Sequence, residues 1–241
     1  MNIICENVSK QYRNIHAIEN INLKLETGIN LLIGTNGAGK STLLNILATV
    51  KAPTGGNVTY NKRTIFSKEY RSILGYLPQD FNAYENLTGY EFLMYMASIK
   101  GVNRQKSIAD IYKYLDTFNL TQSANRKLSS YSGGMIQRIG IIQALINNPM
   151  ILILDEPFNS LDPEERRVAK NILKDLSKDR IIILSSHVLQ ELEEFDGKII
   201  ALEQGQVRAI SKMDDLRKKY GNNFLEKFYF SILHNSAVIK G

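Results

Sequence analysis

The stretch Gly34-Thr35-Asn36-Gly37-Ala38-Gly39-Lys40-Ser41-Thr42 constrains this chain more than any other. It sits between an aliphatic run, Ile29 to Ile33, and the apolar Leu43, Leu44 and Leu47, which carry helical spacing. Gly34, Gly37 and Gly39 let the backbone turn tightly and aim successive N–H groups inward, which builds a nest for an anion. Lys40 adds a fixed positive charge suited to β- and γ-phosphates, Ser41 adds a hydroxyl suited to Mg²⁺, and the following helix turns its N-terminus toward the phosphates. Buried strand, glycine loop and helix, in that order, separate a phosphate-binding loop from a glycine-rich turn that happens to carry a surface lysine.

The remaining chain has to supply a core around that loop, and 241 residues with 44% hydrophobic content can do so as one large domain or a domain with a lobe. The single cysteine, Cys5, has no partner for an internal disulfide and reads as a small buried hydrophobe in a reducing compartment. The first residues lack the basic-then-apolar order of a signal peptide. No apolar run approaches the length of about 18 residues that suggests a membrane span. A cytoplasmic protein is therefore expected. The net charge of +6 comes from lysines and arginines spread along the sequence, so a solvated face is expected and nucleic-acid binding is not.

Alternation at Ile3 to Val8 and at Ile21, Leu23 and Leu25, with short apolar runs at Val58–Tyr60 and Ile73–Leu77, predicts a β-rich opening. From Thr88 the period changes. Thr88 with Glu91 forms a capping box before Phe92–Ile99, Gly101 can end that helix, and Ile108–Phe118 has helical spacing again. Residues 81–146 are thus expected to form a mostly helical insert. Ile151–Leu154 and Ile181–Leu184 are continuous aliphatic runs, as in strands buried on both faces of a parallel sheet, with a helix near Glu164–Leu176 between them. A further short helix is expected at Asp214–Tyr220, closed by Gly221, and the aromatic group Phe224, Phe228, Tyr229 and Phe230 reads as packing.

Open parallel sheets place ligands beyond the carboxyl ends of their strands. Gly34–Lys40, Asp155 with Glu156, and His187 each follow such an end. Asp155, directly after four aliphatic residues, is placed to hold Mg²⁺ through its water shell; Glu156, one step further, is placed to polarise an attacking water. His16 and His234 carry no comparable context and are assigned surface or core roles.

Taken together, these residues resemble the nucleotide-binding subunit of ATP-binding cassette transporters over nearly the whole chain. The resemblance implies an α/β fold, a P-loop NTPase (RecA-like) core with a parallel sheet, an antiparallel β subdomain and an inserted α-helical subdomain. It divides the chain as 1–80, β subdomain and Walker A core; 81–146, helical subdomain with the signature motif; 147–210, Walker B and histidine-switch core; and 211–241, a C-terminal extension. By resemblance Gly34–Thr42 is the Walker A loop around ATP, Ile151–Asp155 the Walker B strand, and Glu156 the catalytic base acting with Lys40 and His187, the switch histidine. Gln79 is the Q-loop glutamine and shares Mg²⁺ with Ser41 and Asp155. Asp162 closes the D-loop that starts at Ser160, and Tyr12 matches the aromatic that stacks on adenine. The signature motif departs from the usual Leu-Ser-Gly-Gly-Gln and reads Tyr131-Ser132-Gly133-Gly134-Met135. Ser132, Gly133 and Gly134 keep the phosphate-facing part. Met135, on a stripe with Ile139, Ile142 and Ile146 in a helix ended by Asn148-Pro149, is either core filler or a change that tunes closure and rate.

In the family the signature loop completes the site of the opposite subunit, so a homo- or heterodimer holding two ATP molecules is implied. An integral membrane permease is the implied partner, with the chain peripheral on the cytoplasmic face of the plasma membrane. The segment from Leu77 to Gly101 is similar to stand-alone ATPases of bacterial exporters. A soluble single-cassette ATPase of macromolecular or iron–sulfur assembly is the alternative. A GTPase is disfavoured because no Asn/Thr-Lys-x-Asp guanine motif is present.

Overall fold

The computed structural model describes residues 1–238, with side chains through residue 232. Residues 239–241 of the C-terminal extension, and the side chain of His234, lie outside the described residues. Strands β1 (Asn2–Tyr12) and β2 (Ile15–Glu26) pair antiparallel in a register that sets Ile3 against Leu25, Cys5 against Leu23 and Val8 against Ile21, so one face is apolar throughout. After β3 (Gly28–Ile33) and helix α1 (Lys40–Leu47), strands β4 (Gly55–Tyr60) and β5 (Arg63–Thr64) complete a four-stranded antiparallel sheet of order β2-β1-β4-β5. Cys5 is buried in its apolar face, and burial pushes its thiol up to about 12, as suits an inert core residue.

A five-residue helix α2 (Lys68–Ser72) leads into β6 (Leu74–Leu77), which lies on the edge of a second sheet. That sheet has six strands in the order β10-β9-β3-β8-β7-β6, with β7 (Ile151–Asp155), β8 (Ile181–Ser185) and β9 (Lys198–Glu203) parallel to their neighbours and β10 (Gln206–Lys212) antiparallel on the far edge. β3, β7 and β8 are buried along nearly their whole length, as their aliphatic runs predict. β9 and β10 were not expected. Their two-residue loop, Gln204-Gly205, has positive φ at both positions (49° and 76°), the backbone of a tight hairpin turn that follows the strand twist. Because β10 ends at Lys212, the central sheet extends past the boundary expected at residue 210.

Between β6 and β7 the chain is helical: α3 (Gly89–Ile99), α4 (Arg104–Thr117) and α5 (Gly133–Leu145). The capping box forms as predicted: the Glu91 N–H donates to Thr88 Oγ1 at 3.1 Å and the Thr88 N–H to Glu91 Oε2 at 2.8 Å. Phe92, Leu93, Ile111, Leu115 and Phe118 of α3 and α4 and the residue after it pack with Ile139 and Ile142 of α5. The single stripe expected on α5 is corrected, since Arg138 through Ile146 are buried on every side, while Met135 lies in the half-buried first turns with Ile136 and Gln137. Gly140 makes this possible: a Cβ there would come within 2.7 Å of Leu77 Cδ1 and 2.9 Å of Phe81 Cδ1. Helix α6 (Pro163–Leu176) crosses from β7 to β8, and a short α7 (Leu189–Leu192) follows β8. The chain then ends in α8 (Met213–Tyr220) and α9 (Phe224–Val238). Phe224 and Phe228 are buried, as expected of packing residues, whereas Phe230 is exposed.

Lys100 shows what such an enclosed helix demands. Its Nζ reaches the Gln143 carbonyl and donates to Asn147 Oδ1 at 3.2 Å, satisfying the C-terminal end of α5, and burial lowers its pKa to about 8. An ammonium that titrates lower in the folded than in the unfolded chain costs stability while it is charged, so this cost is relieved as pH rises from about 8 toward 10. In Lys100→Met the difference from wild type in thermal midpoint is therefore expected to shift steadily against the variant across that interval. Parallel melting curves at pH 8 and pH 10 with a constant offset would contradict it.

Candidate active site

Gly37 and Gly39 hold left-handed backbone (φ 79° and 101°), and at Gly39 a Cβ would stand 2.6 Å from Ile18 Cγ2 and 2.7 Å from the Ala17 carbonyl. Only glycine lets the loop press against β2 and still launch α1 one residue later. Lys40 folds back into that loop, its Nζ donating to the carbonyls of Gly34 (2.8 Å) and Thr35 (3.2 Å). Burial lowers its pKa, while the facing Glu156 and Asp155 act in the opposite direction. Ser41 Oγ donates to Gln79 Oε1 at 3.2 Å and so ties the first turn of α1 to the segment after β6.

At the end of β7, Asp155 is buried and its pKa is raised by that burial; the Ser185 hydroxyl donates to its Oδ1 at 2.5 Å. The same Ser185 Oγ accepts the Glu156 N–H at 3.0 Å, so one hydroxyl of the adjacent parallel strand holds the Asp155 carboxylate and the Glu156 backbone together. Glu156 sits in left-handed backbone (φ 52°) and is nearly buried. Its Oε2 faces His187, 2.9 Å from Nδ1, and accepts the His187 N–H at 3.3 Å. The structure thereby joins three strand ends into one polar site.

A cleft of about 430 Å³ opens on this site, lined by Tyr12, Asn36, Gly37, Gly39, Lys40, Ser41, Thr42, Gln79 and Glu156, together with Ile15, His16 and Ala17. Tyr12 is partly exposed, with Lys10 Nζ 5.3 Å from its ring centre. Ile15, His16 and Ala17 were not assigned to the site from sequence. The pairing of Tyr12 with Ile15 across the β1–β2 turn is the signal that brings them to the same rim. Gly34, Thr35 and His187 line a smaller hollow of about 220 Å³ beside it. Ala38 supports the loop from inside the core.

Ser132, Gly133, Gly134 and Asp162 are not among the residues that line either opening. Ser132 Oγ caps α5 by accepting the Met135 N–H at 3.3 Å, and Asp162 caps α6, its Oδ1 accepting the Glu165 N–H at 2.8 Å. The two caps are neighbours: a Cβ on Gly134 would lie 2.7 Å from the Ser160 carbonyl, and Arg138 reaches from α5 to Glu165 at 2.9 Å. They make a second polar cluster on the chain.

Such a site, with a glycine nest and lysine for an anion and a nearby carboxylate–imidazole pair, suits phosphoryl chemistry. Residues 18–159 match the family model described as ABC transporter. The chain is 33% identical over 219 residues to an uncharacterized ABC transporter ATP-binding protein, YxlF, of Bacillus subtilis (strain 168), covering 90% of this chain and 73% of that one. It is 29% identical over 238 residues to the linearmycin resistance ATP-binding protein LnrL of the same organism, covering 97% and 76%. The fold superposes with a TM-score of 0.78, at 26% identity, on the ATP-binding cassette MJ0796, solved as a dimer in a post-hydrolysis state bound to ADP and Pi; the match covers 88% of this chain and 98% of that one. With its glycine loop, paired carboxylates and six-stranded sheet, the chain belongs to the ABC transporter family, as an ATP-binding cassette that hydrolyses ATP.

Proposed function

We propose that the chain energises export through a separate membrane-spanning partner and works as a dimer, with itself or with a related cassette, on the cytoplasmic face of the membrane. Among the described residues no helix is long and apolar enough to cross a membrane. The observation that carries the proposal is an exposed aromatic face on the helical insert just beyond Gln79: Tyr84 is 60% exposed, Tyr95 45% and Ile99 62%. Tyr84 meets Tyr95 and Phe92 edge-on at 5.8 and 6.2 Å, so the patch is ordered. Large apolar side chains held at the surface in one group mark an interaction site. Phe81 links the patch to the cleft through its edge contact with Phe92, a short path from Gln79. The resistance named for LnrL agrees with export.

Within the site, Tyr12 offers a ring for adenine, and the 34–42 loop with Lys40 holds the phosphates. Ser41, Gln79 and Asp155 present hard oxygen donors, the set that Mg²⁺ takes, with the Ser41 and Gln79 oxygens 3.2 Å apart. The ion, when bound, neutralises charge on the phosphates. Glu156 accepts a proton from the attacking water, and His187 and Lys40 stabilise the charge that develops on the γ-phosphoryl group. Ser132, Gly133, Gly134 and Asp162, turned away from their own chain's cleft, complete the site of the second subunit. That MJ0796 was solved as a dimer supports the pairing of two subunits.

The test is a gentle-detergent purification of tagged Glu156→Gln protein from native membranes. A polytopic membrane protein recovered in stoichiometric amount is the expected outcome. Recovery from the soluble fraction with ribosomal, DNA-repair or iron–sulfur scaffold proteins would replace the exporter role with an assembly role.

A further inference from the structure

Helix α9 packs on the short helix that follows His187. α7 starts two residues after His187, and α9 is bound to it at two points: Gln190 Nε2 donates to Glu226 Oε1 at 2.5 Å, and Glu193 Oε1, just past α7, accepts the Leu225 N–H at 3.2 Å. One turn further along α9, Tyr229 enters the wall of the small hollow that Gly34, Thr35, Ser186 and His187 also line. Its hydroxyl is shielded from solvent and has no hydrogen-bond partner among the described residues. It is the single such side-chain atom found there. A buried hydroxyl left without a partner opposes folding, so its retention calls for a partner supplied in another arrangement of the same site.

The neighbouring His187 is the group whose arrangement must change. In the structure its Nδ1 is committed to Glu156 at 2.9 Å. For Glu156 to accept a proton from water, and for the imidazole to face the γ-phosphoryl group, that pair has to open. We propose that Tyr229 is a positioning residue for His187: its hydroxyl takes the ring nitrogen that Glu156 releases and leaves the other nitrogen to face the phosphate. A phenol can donate or accept, so it serves either tautomer of the ring. The C-terminal extension, by this route, sets the rate of hydrolysis through α7 and Tyr229 without touching nucleotide. The inference rests on the role given to His187 in the proposed mechanism.

Tyr229→Phe deletes one atom and keeps the ring. In full-length protein the expected result is a kcat for ATP hydrolysis lowered about fivefold, the loss of one hydrogen bond, with KM for ATP changed less than twofold. Its thermal midpoint should equal or exceed that of wild type, since the deleted hydroxyl has no partner to lose. The deciding measurement is a cycle with His187→Ala, read by single-turnover phosphate release: Tyr229→Phe should slow wild type and leave the His187→Ala variant unchanged. If His187→Ala alone hydrolyses normally, the histidine has no such role and the positioning falls with it. If His187→Ala is slow while Tyr229→Phe is normal, lowers the midpoint, or slows both backgrounds equally, Tyr229 does not position His187 and the mechanism stands without it.

Discussion

Glu156→Gln is expected to bind ATP as well as wild type and to hydrolyse it about 10² times more slowly, or worse, within the range that general-base removal produces. The amide keeps the size of the side chain and one oxygen to accept the His187 N–H, which the carboxylate now accepts at 3.3 Å. The backbone bond from Glu156 to Ser185, at 3.0 Å, is untouched. What is lost is the ability to take a proton. Lys40, the glycine loop and Ser41 remain, so affinity should hold. Nucleotide binding by fluorescence and turnover by phosphate release separate the two quantities, and near-normal turnover would remove Glu156 from the base role. The exchange also relieves like-charge crowding, since Glu156 contributes to the raised pKa of the buried Asp155. Folding should therefore be no poorer than in wild type.

The second large effect is a recovery. Lys40→Ala removes the cation that the loop encloses, and Ser132→Arg replaces the capping hydroxyl with a bulky charge at the start of α5; each alone should be almost inactive. The Ser132 change also gives up a helix cap, worth about 1 kcal/mol, which a melting curve will register. If each site draws its loop from one chain and Ser132 from the other, a mixed dimer has one site with both defects and one with neither. Random pairing makes half the dimers mixed, so an equimolar mixture should regain about a quarter of wild-type turnover. Ser132 caps α5 and does not line the cleft of its own chain, which motivates the test. No recovery, with both variants folded and Ser132→Arg binding ATP, would confine the site to a single subunit.

Much of the cleft was legible because its residues obey local rules. Gly39 is required by backbone conformation, Asp155 and His187 follow aliphatic runs, and Thr88 announces a helix by capping. What escaped depends on pairing between distant segments. β9 is four apolar residues between Lys198 and Glu203, a run as long as those that marked β7 and β8, but no site residue follows it and its hairpin turn is Gln-Gly in place of the Asn-Gly that would have marked it. Ser185 went unassigned, although its hydroxyl holds the Asp155 carboxylate and the Glu156 backbone N–H from the neighbouring strand. Ile15 and His16 are rim residues only because the β1–β2 hairpin folds over the loop. Tyr229 read as one aromatic among several, and only the docking of α9 on α7 distinguishes it.

The left-handed backbone at Glu156 has a consequence for how this sequence can drift. A glutamate at φ 52° is held against its own conformational preference, in a region that glycine, asparagine and aspartate occupy more readily. Glycine and aspartate are each one nucleotide change from a glutamate codon, so mutation reaches backbone-compatible replacements at this position in a single step. In the proposed mechanism, a lineage kept only for the durability of the fold would find glycine there easily, giving up the base while gaining robustness.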